Sequence, residues 1–136
     1  MTEINFNNIR SHDSSKNKAF EELCSQLARL EFAAKNDWKF VKKGGSADGG
    51  VECYWVLPDK SEYCWQAKYV DDLDAALNQV DGSIKQALDK HPKLVKYYVC
   101  LSIDFADSRQ DKDITQKVKW ETHLQKWAKW AREKGM

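Results

Sequence analysis

Asp48 and Glu52 supply two carboxylates within a short stretch, and Gln66 and Lys68 follow with an amide and an ammonium group. Carboxylate and amide oxygens are ligands that a hard cation such as Mg²⁺ or Mn²⁺ prefers. An ammonium group beside such a cation can orient an attacking water and offset negative charge that develops on a phosphate. The residue types therefore indicate metal-dependent phosphodiester hydrolysis. Asp48, Glu52 and Gln66 are the predicted metal ligands, and Lys68 is the group that positions water.

A β-hairpin is expected to hold these residues. Two runs rich in β-branched and aromatic residues are separated by turn-forming residues. They are Val51 to Leu57 and Tyr63 to Val70, with Pro58-Asp59-Lys60-Ser61 between them. A glycine-rich turn, Gly44 to Gly50, precedes the first run and carries Asp48.

The number of residues in the hairpin loop decides which acid meets Lys68. Residues two apart on a strand point to the same face, so Gln66 and Lys68 emerge together. Glu52 shares that face only if the loop holds an odd number of residues, as a three-residue loop at 58–60 would. Either Asp48 or Glu52 can be the main metal ligand, and the position of Glu52 on the strand slightly favours Glu52.

Hydrophobic periodicity predicts the elements around the hairpin. The first helix, about Ser15 to Lys35, has an apolar stripe of Phe20, Leu23, Leu27 and Leu30. The remaining predicted elements are a strand at 37–43, a helix at 71–90, a strand at 94–103, a polar loop at 104–114 and a last helix at 115–134. The order α-β-β-β-α-β-α predicts an α/β fold with a mixed sheet, helices on both faces and the hairpin near the middle.

Length and charge restrict the interpretation further. The 136 residues suit a single domain over 1–136 with a flexible leader at about 1–14, and a longer parent protein with further domains is compatible with this. The net charge of +1 provides no strong overall field toward nucleic acid or membranes, so DNA must be held by a local patch. Lys39, Lys42 and Lys43 form such a basic edge. No signal peptide or long apolar run is present, which predicts a cytoplasmic location.

The cysteines and tryptophans are expected mainly in the core. Four cysteines without C-x-x-C spacing suit buried, reduced thiols, although a disulfide or half of a metal site between Cys53 and Cys64 across the hairpin is an alternative. Three tryptophans at positions 65, 120 and 127 are predicted to be core. Trp38, Trp55 and Trp130 could instead be exposed for base stacking or for docking a partner.

The segments D-G-G-V-E and W-Q-A-K, ending at Glu52 and Lys68, together resemble the PD-(D/E)XK nuclease superfamily. They are most similar to the Mrr-like branch, in which Gln replaces the usual Glu. The core of that family has the order α-β-β-β-α-β, and the resemblance extends from Phe20-Glu21 to about Ile103. Similar domains stand at the N-termini of bacterial antiviral STAND NTPases, where they act as the DNA-cutting effector.

The resemblance implies that Glu21 is the acid of the first helix, that Asp48 or Glu52 is the first-motif metal ligand, and that Gln66 and Lys68 form the second motif. The chain departs from the family in having Glu52 where Asp is common and in lacking the proline before the acid. The implied function is a Mg²⁺- or Mn²⁺-dependent endonuclease for double-stranded DNA, acting in antiphage defence or restriction.

One such site cuts one strand, so cleavage of a duplex is expected to require at least two copies brought together as a homo-oligomer. Two other interpretations remain open. The chain could be an inactive module on the same fold that binds nucleic acid or a protein, or a purely structural unit that oligomerises through its last helix.

Overall fold

The part of the chain that the structure describes folds into three helices and four strands in the order α1-β1-β2-β3-α2-β4-α3. The computed structural model describes residues 16–43, 50–102 and 111–136, and only the backbone of 111–115. The predicted leader, most of the glycine-rich turn including Asp48, and most of the predicted polar loop lie outside these ranges. The elements are α1 (Lys16–Glu31), β1 (Lys39–Lys42), β2 (Cys53–Val56), β3 (Glu62–Lys68), α2 (Leu73–Lys90), β4 (Leu94–Leu101) and α3 (Asp111–Glu133).

The four strands form one mixed sheet in the order β1-β2-β3-β4. β1, β2 and β3 are a meander of antiparallel neighbours, whereas β4 runs parallel to β3. A parallel neighbour requires a crossover, and α2 supplies it. The hairpin strands β2 and β3 are therefore the two central strands. The predicted α/β class and mixed sheet are confirmed.

The hairpin closes with the three-residue loop at 58–60. The N–H of Leu57 donates to the carbonyl of Ser61 at 2.9 Å, and the N–H of Lys60 donates to the carbonyl of Leu57 at 2.9 Å. Lys60 has φ 76°, and the Asp59 carboxylate accepts from the N–H of Ser61 at 2.9 Å. A turn followed by one left-handed residue is typical of such hairpins. The loop length is therefore odd, which is the condition for Glu52 to share a face with Gln66 and Lys68.

The two faces of β3 contact different helices. Trp65 and Ala67 face α1, where Phe20 and Cys24 pack on Ala67 and a group of aromatic rings surrounds Trp65. Cys64 faces the other way, into the core that α2 and Trp127 of α3 complete. Because side chains alternate along a strand, the face of β3 toward α1 is aromatic, and the opposite face, toward α2, also carries polar groups.

Phe20 is the one residue of the predicted apolar stripe of α1 that is fully buried. Leu27 and Leu30 are 55% and 69% exposed, whereas Phe20, Cys24 and Ala28 are buried. The small side chains of the observed stripe let α1 approach the sheet closely, and the indole Nε1 of Trp55 donates to the carbonyl of Ala28 at 2.8 Å. The helix also ends at Glu31 rather than Lys35.

The last helix begins earlier than predicted, at Asp111, so the polar loop is shorter at its C-terminal end. Trp127 is buried as expected, but Leu124 is 43% exposed. Trp130, proposed as exposed, packs partly against the core with the ammonium groups of Lys85 and Lys126 at 4.9 and 5.1 Å from its ring centroid. Within the described ranges, no helix combines the length and apolar character needed to cross a membrane.

Cys24, Cys53 and Cys64 are free and buried as expected, and the sheet register and burial exclude two alternatives considered from the sequence. Cys53 pairs with Trp65 and Tyr54 with Cys64, so Cys53 and Cys64 point to opposite faces and cannot form the disulfide or half metal site considered for them. Both thiols are buried, and burial raises the pKa of Cys53 to about 12. Trp55 is also buried, at 5% exposed, which excludes it as a stacking platform.

Candidate functional site

The side chain of Gln66 lies at the centre of the candidate site and is only 5% exposed. With the amide oriented so that each of its atoms meets a complementary group, Nε2 donates to Glu52 Oε1 at 3.2 Å, and Oε1 accepts from Lys68 Nζ at 2.9 Å and from Ser83 Oγ at 3.2 Å. The opposite amide orientation would turn an oxygen toward a carboxylate and an NH₂ group toward an ammonium. The structure therefore brings together Glu52, Gln66 and Lys68, as the odd loop predicts.

The backbone around Glu52 is fixed by two neighbouring segments. Its N–H donates to the carbonyl of Trp65 at 2.8 Å, and its carbonyl accepts from the N–H of Lys43 at 2.9 Å. Glu52 directly precedes β2 and is half-buried. Because β3 lies on one side of this residue and the end of β1 on the other, its carboxylate is held beside Gln66 by the sheet itself.

Ser83 is a member of the cluster that the sequence pattern did not single out. It is 8% exposed on the face of α2 that otherwise carries Ala76, Val80 and Ala87. Its hydroxyl can donate or accept, so it can contact the Gln66 amide in either orientation, at 3.2 Å. The sequence did contain a signal for this contact: Ser83 interrupts an apolar helical stripe, and a buried hydroxyl requires a hydrogen-bond partner.

Gly50 permits the close approach of α2 to the loop before β2. It has φ +76°, and a Cβ built on it would lie 1.9 Å from the carbonyl oxygen of Ser83. The hydroxyl of Tyr97 donates to the Gly50 carbonyl at 2.5 Å, and burial raises the pKa of that phenol. Gly50 thus anchors the start of the hairpin against the helix that carries Ser83.

Glu21 lies half-buried on α1. Its neighbour Phe20 packs on Ala67, which faces α1, whereas Gln66 is on the other face of β3. Glu22, the next acid of α1, forms an ion pair with Lys42 and accepts from Gln26 Nε2 at 3.1 Å. The participation of Glu21 in the site stays a prediction.

The basic edge lies beside the site through Lys43, whose backbone contacts Glu52. Lys39 and Lys42 are exposed, and the ammonium group of Lys43 lies 5.9 Å from the ring centroid of Tyr54. The charge of Lys42 is partly offset by its ion pair with α1. Binding of nucleic acid by these three lysines stays a prediction, as does the metal-ligand role of Asp48, which lies outside the described residues.

The donor set at this cluster suits a hard divalent cation, because Glu52 offers a carboxylate and Gln66 an amide oxygen. In the hydrogen-bonded arrangement the amide nitrogen faces Glu52. Joint binding of one cation by both residues requires the amide to turn its oxygen toward Glu52. Ser83 can then accept from the amide nitrogen, because that orientation also has a 3.2 Å contact to its Oγ.

No protein-family model matches the chain, and no match was found among curated proteins or among solved structures. The contacts around Gln66 and the motifs that carry them are therefore the observations that bear on function.

Proposed function

We propose that the chain is a Mg²⁺- or Mn²⁺-dependent endonuclease domain that hydrolyses phosphodiester bonds of double-stranded DNA. The single observation that supports this most strongly is the Gln66 amide, which contacts both the Glu52 carboxylate and the Lys68 ammonium. An acid, an amide and a lysine converge at the edge of a central hairpin. That is the combination that the resemblance to the Mrr-like branch requires.

Each residue has a role that follows from its chemistry. A cation held here would offset phosphate charge and lower the pKa of an attacking water. Glu52 would hold it through its carboxylate, and Gln66 through its amide oxygen. Lys68 stands at the end of β3 with its ammonium 2.9 Å from the Gln66 amide, where it can orient the water and stabilise developing negative charge. Ser83 keeps the Gln66 amide bonded in either orientation.

The arrangement of the elements gives secondary support. The first six elements run α-β-β-β-α-β with the hairpin strands central, which is compatible with the restriction-endonuclease-like fold that the proposal requires. We further propose that the domain acts in the cytoplasm as an effector of antiphage defence or restriction, with Lys39, Lys42 and Lys43 contacting DNA phosphates. Cleavage of both strands would need two or more copies, assembled with the help of further domains.

The first test replaces Lys68 with alanine and measures plasmid nicking in Mg²⁺. Lys68→Ala is expected to reduce cleavage by about 100-fold or more, the range for loss of one group that stabilises transition-state charge. Lys90→Ala, at an exposed position of α2, is the matched control and should cleave like the wild type. Unchanged cleavage by Lys68→Ala would show that the second motif is assigned wrongly.

A second candidate function is a binding module on the same fold that no longer holds metal. The observation that favours it is that the described cluster contains one carboxylate, Glu52, with an amide nitrogen facing it. Calorimetric titration with Mg²⁺ or Mn²⁺ distinguishes the two functions. The nuclease predicts heat that is lost in the double variant Asp48→Ala, Glu52→Ala, whereas the binding module predicts equal heat from both proteins or none from either.

Assembly has its own test in the dependence of cleavage on protein concentration. Double-strand breaks should appear with a rate that rises more steeply than linearly with concentration. Double-strand breaks at a first-order rate by a dilute monomer would contradict the requirement for two copies.

A further inference from the structure

A second polar cluster lies on the same face of β3, at the opposite end of the strand from Lys68. Glu62 and Cys64 are two residues apart at the start of β3, and His91 is the C-cap residue that follows α2. One ligand atom from each of these three side chains lies within 4.8 Å of the other two. Glu62 lies four positions before Gln66, about 13 Å along a strand, and Cys64 lies two positions before it, about 7 Å, so the two clusters are neighbours that share no residue.

We infer that Glu62, Cys64 and His91 form a binding site for Zn²⁺ or a similar borderline-soft divalent cation. Thiolate, imidazole and carboxylate are the protein ligands of Zn²⁺, and around one tetrahedral ion such atoms lie roughly 3–4 Å apart. Glu62 Oε1 and His91 Nδ1 are already 3.0 Å apart. Small side-chain movements are therefore sufficient to accommodate an ion. The inference does not depend on the proposed nuclease function.

The backbone at all three positions is held in place. The N–H of Glu62 donates to the carbonyl of Lys93 at 2.8 Å, and the N–H of His91 donates to the carbonyl of Ala87 at 2.8 Å. Cys64 lies within a strand that is paired on both sides. A site on rigid segments loses little conformational entropy when it binds an ion, which favours binding.

Access and selectivity also follow from the environment. Cys64 is fully buried, while the side chains of His91 and Glu62 are 9% and 17% exposed, so an ion can enter from the Glu62 side. The ring of Tyr54 packs against His91 with centroids 5.3 Å apart and restricts the imidazole. A thiolate ligand disfavours Mg²⁺, so this cluster and the Glu52–Gln66 cluster should select different metals. Three protein ligands leave a fourth position for water.

Such an ion would connect the start of β3 to the junction between α2 and β4. Because α2 also carries Ser83, the ion would fix the helix that contacts Gln66. The inferred role is structural, as a tether that reinforces the Glu62–His91 contact and the backbone hydrogen bond from Glu62 to Lys93.

Titration of the chelator-treated 136-residue chain with Co²⁺ tests the inference. A thiolate-to-cobalt charge-transfer band in the near ultraviolet, saturating at one Co²⁺ per chain and removed by Zn²⁺, is the expected result. Only a sulfur ligand produces this band, so a Co²⁺ ion bound at Glu52 does not contribute to it. Cys64→Ser should abolish the band. Cys100→Ser, which removes a thiol on β4 and serves as the matched control, should retain it.

The absence of this band in the wild type, or its persistence in Cys64→Ser, would overturn the inference. If Cys64→Ser does not fold, Glu62→Gln provides the comparison because its folding can be checked by circular dichroism without metal. Folded Glu62→Gln should bind Co²⁺ on the order of 100-fold more weakly. An unchanged affinity in that variant would also overturn the inference. Plasmid cleavage in Mg²⁺ is measured separately, so failure here is distinguishable from failure of the nuclease proposal.

Discussion

The Gln66 amide lies between the Glu52 carboxylate and the Lys68 ammonium group, and a double-mutant cycle can measure the coupling energy between positions 66 and 68. In Gln66→Glu, a second carboxylate would lie 3.2 Å from Glu52 and 2.9 Å from Lys68 Nζ if the side chain keeps its position. At an effective dielectric constant of about 20, the repulsion is about 5 kcal/mol and the attraction about 6 kcal/mol. The two nearly cancel, so Gln66→Glu alone should change the free energy of unfolding little.

Removal of the ammonium group ends this cancellation. Lys68→Met alone loses one hydrogen bond to Gln66, whereas Gln66→Glu combined with Lys68→Met leaves the repulsion from Glu52 unopposed. The double variant should be less stable than the sum of the single changes predicts, by a few kcal/mol and at most about 5 kcal/mol. Added Mg²⁺ should restore part of this loss because the cation takes the place of the ammonium.

Urea denaturation at neutral pH in chelator measures the four proteins of the cycle. The control cycle makes the same changes at Gln86 and Lys90, which are exposed and four residues apart on α2. Exposed pairs at this spacing couple by only about 0.3–0.5 kcal/mol. A coupling energy at Gln66 and Lys68 no larger than that of the control would refute the geometry described for the site.

Two further predictions concern positions that support the site. Gly50→Ala should lower the free energy of unfolding, measured by urea titration, by about 3 kcal/mol or more, because alanine is strained at a positive φ and its Cβ would clash with the Ser83 carbonyl. Gly82→Ala is the control, since no atom lies near its Cβ, and it should raise the free energy of unfolding by about 0.5–1 kcal/mol. Burial alone would raise the pKa of Asp81, but hydrogen bonds from Trp127 Nε1 at 2.6 Å and Lys126 Nζ at 3.0 Å lower it. Because the pKa of Asp81 is lower in the folded state, its carboxylate stabilises the fold at pH values above about 4, the ordinary pKa of aspartate. This stabilisation is lost as the pH falls through the pKa of the folded state. Asp81→Asn should weaken that acid dependence, and an identical pH profile for wild type and variant would contradict it.

The hairpin and its polar face could be predicted because both depend on local chemistry. Turn residues at 58–60 fix the loop, and the two-residue period of a strand then places Gln66 and Lys68 together. The same odd loop forces Cys53 and Cys64 onto opposite faces. The disulfide alternative was therefore incompatible with the predicted site, although each expectation seemed reasonable when considered separately.

Other features depend on contacts distant in sequence. In α1, one stripe of leucines and another of Phe20, Cys24 and Ala28 both have helical spacing, and periodicity does not say which one meets the sheet. Close packing favours the stripe with small residues. Ser83 has a similar explanation, since its partner Gln66 lies on a different element and only the assembled fold places the two together.

The division of β3 into two faces implies that neighbouring residues of one strand tolerate change in different ways. Substitutions at Trp65 or Ala67 alter packing against α1, so second-site changes in that helix or a lower growth temperature can compensate for them. Substitutions at Gln66 or Lys68 remove chemical groups, which no repacking of α1 replaces. Second-site suppressor mutations should therefore be common for defects at Trp65 and Ala67 and absent for defects at Gln66 and Lys68, so that the two outcomes alternate along the strand.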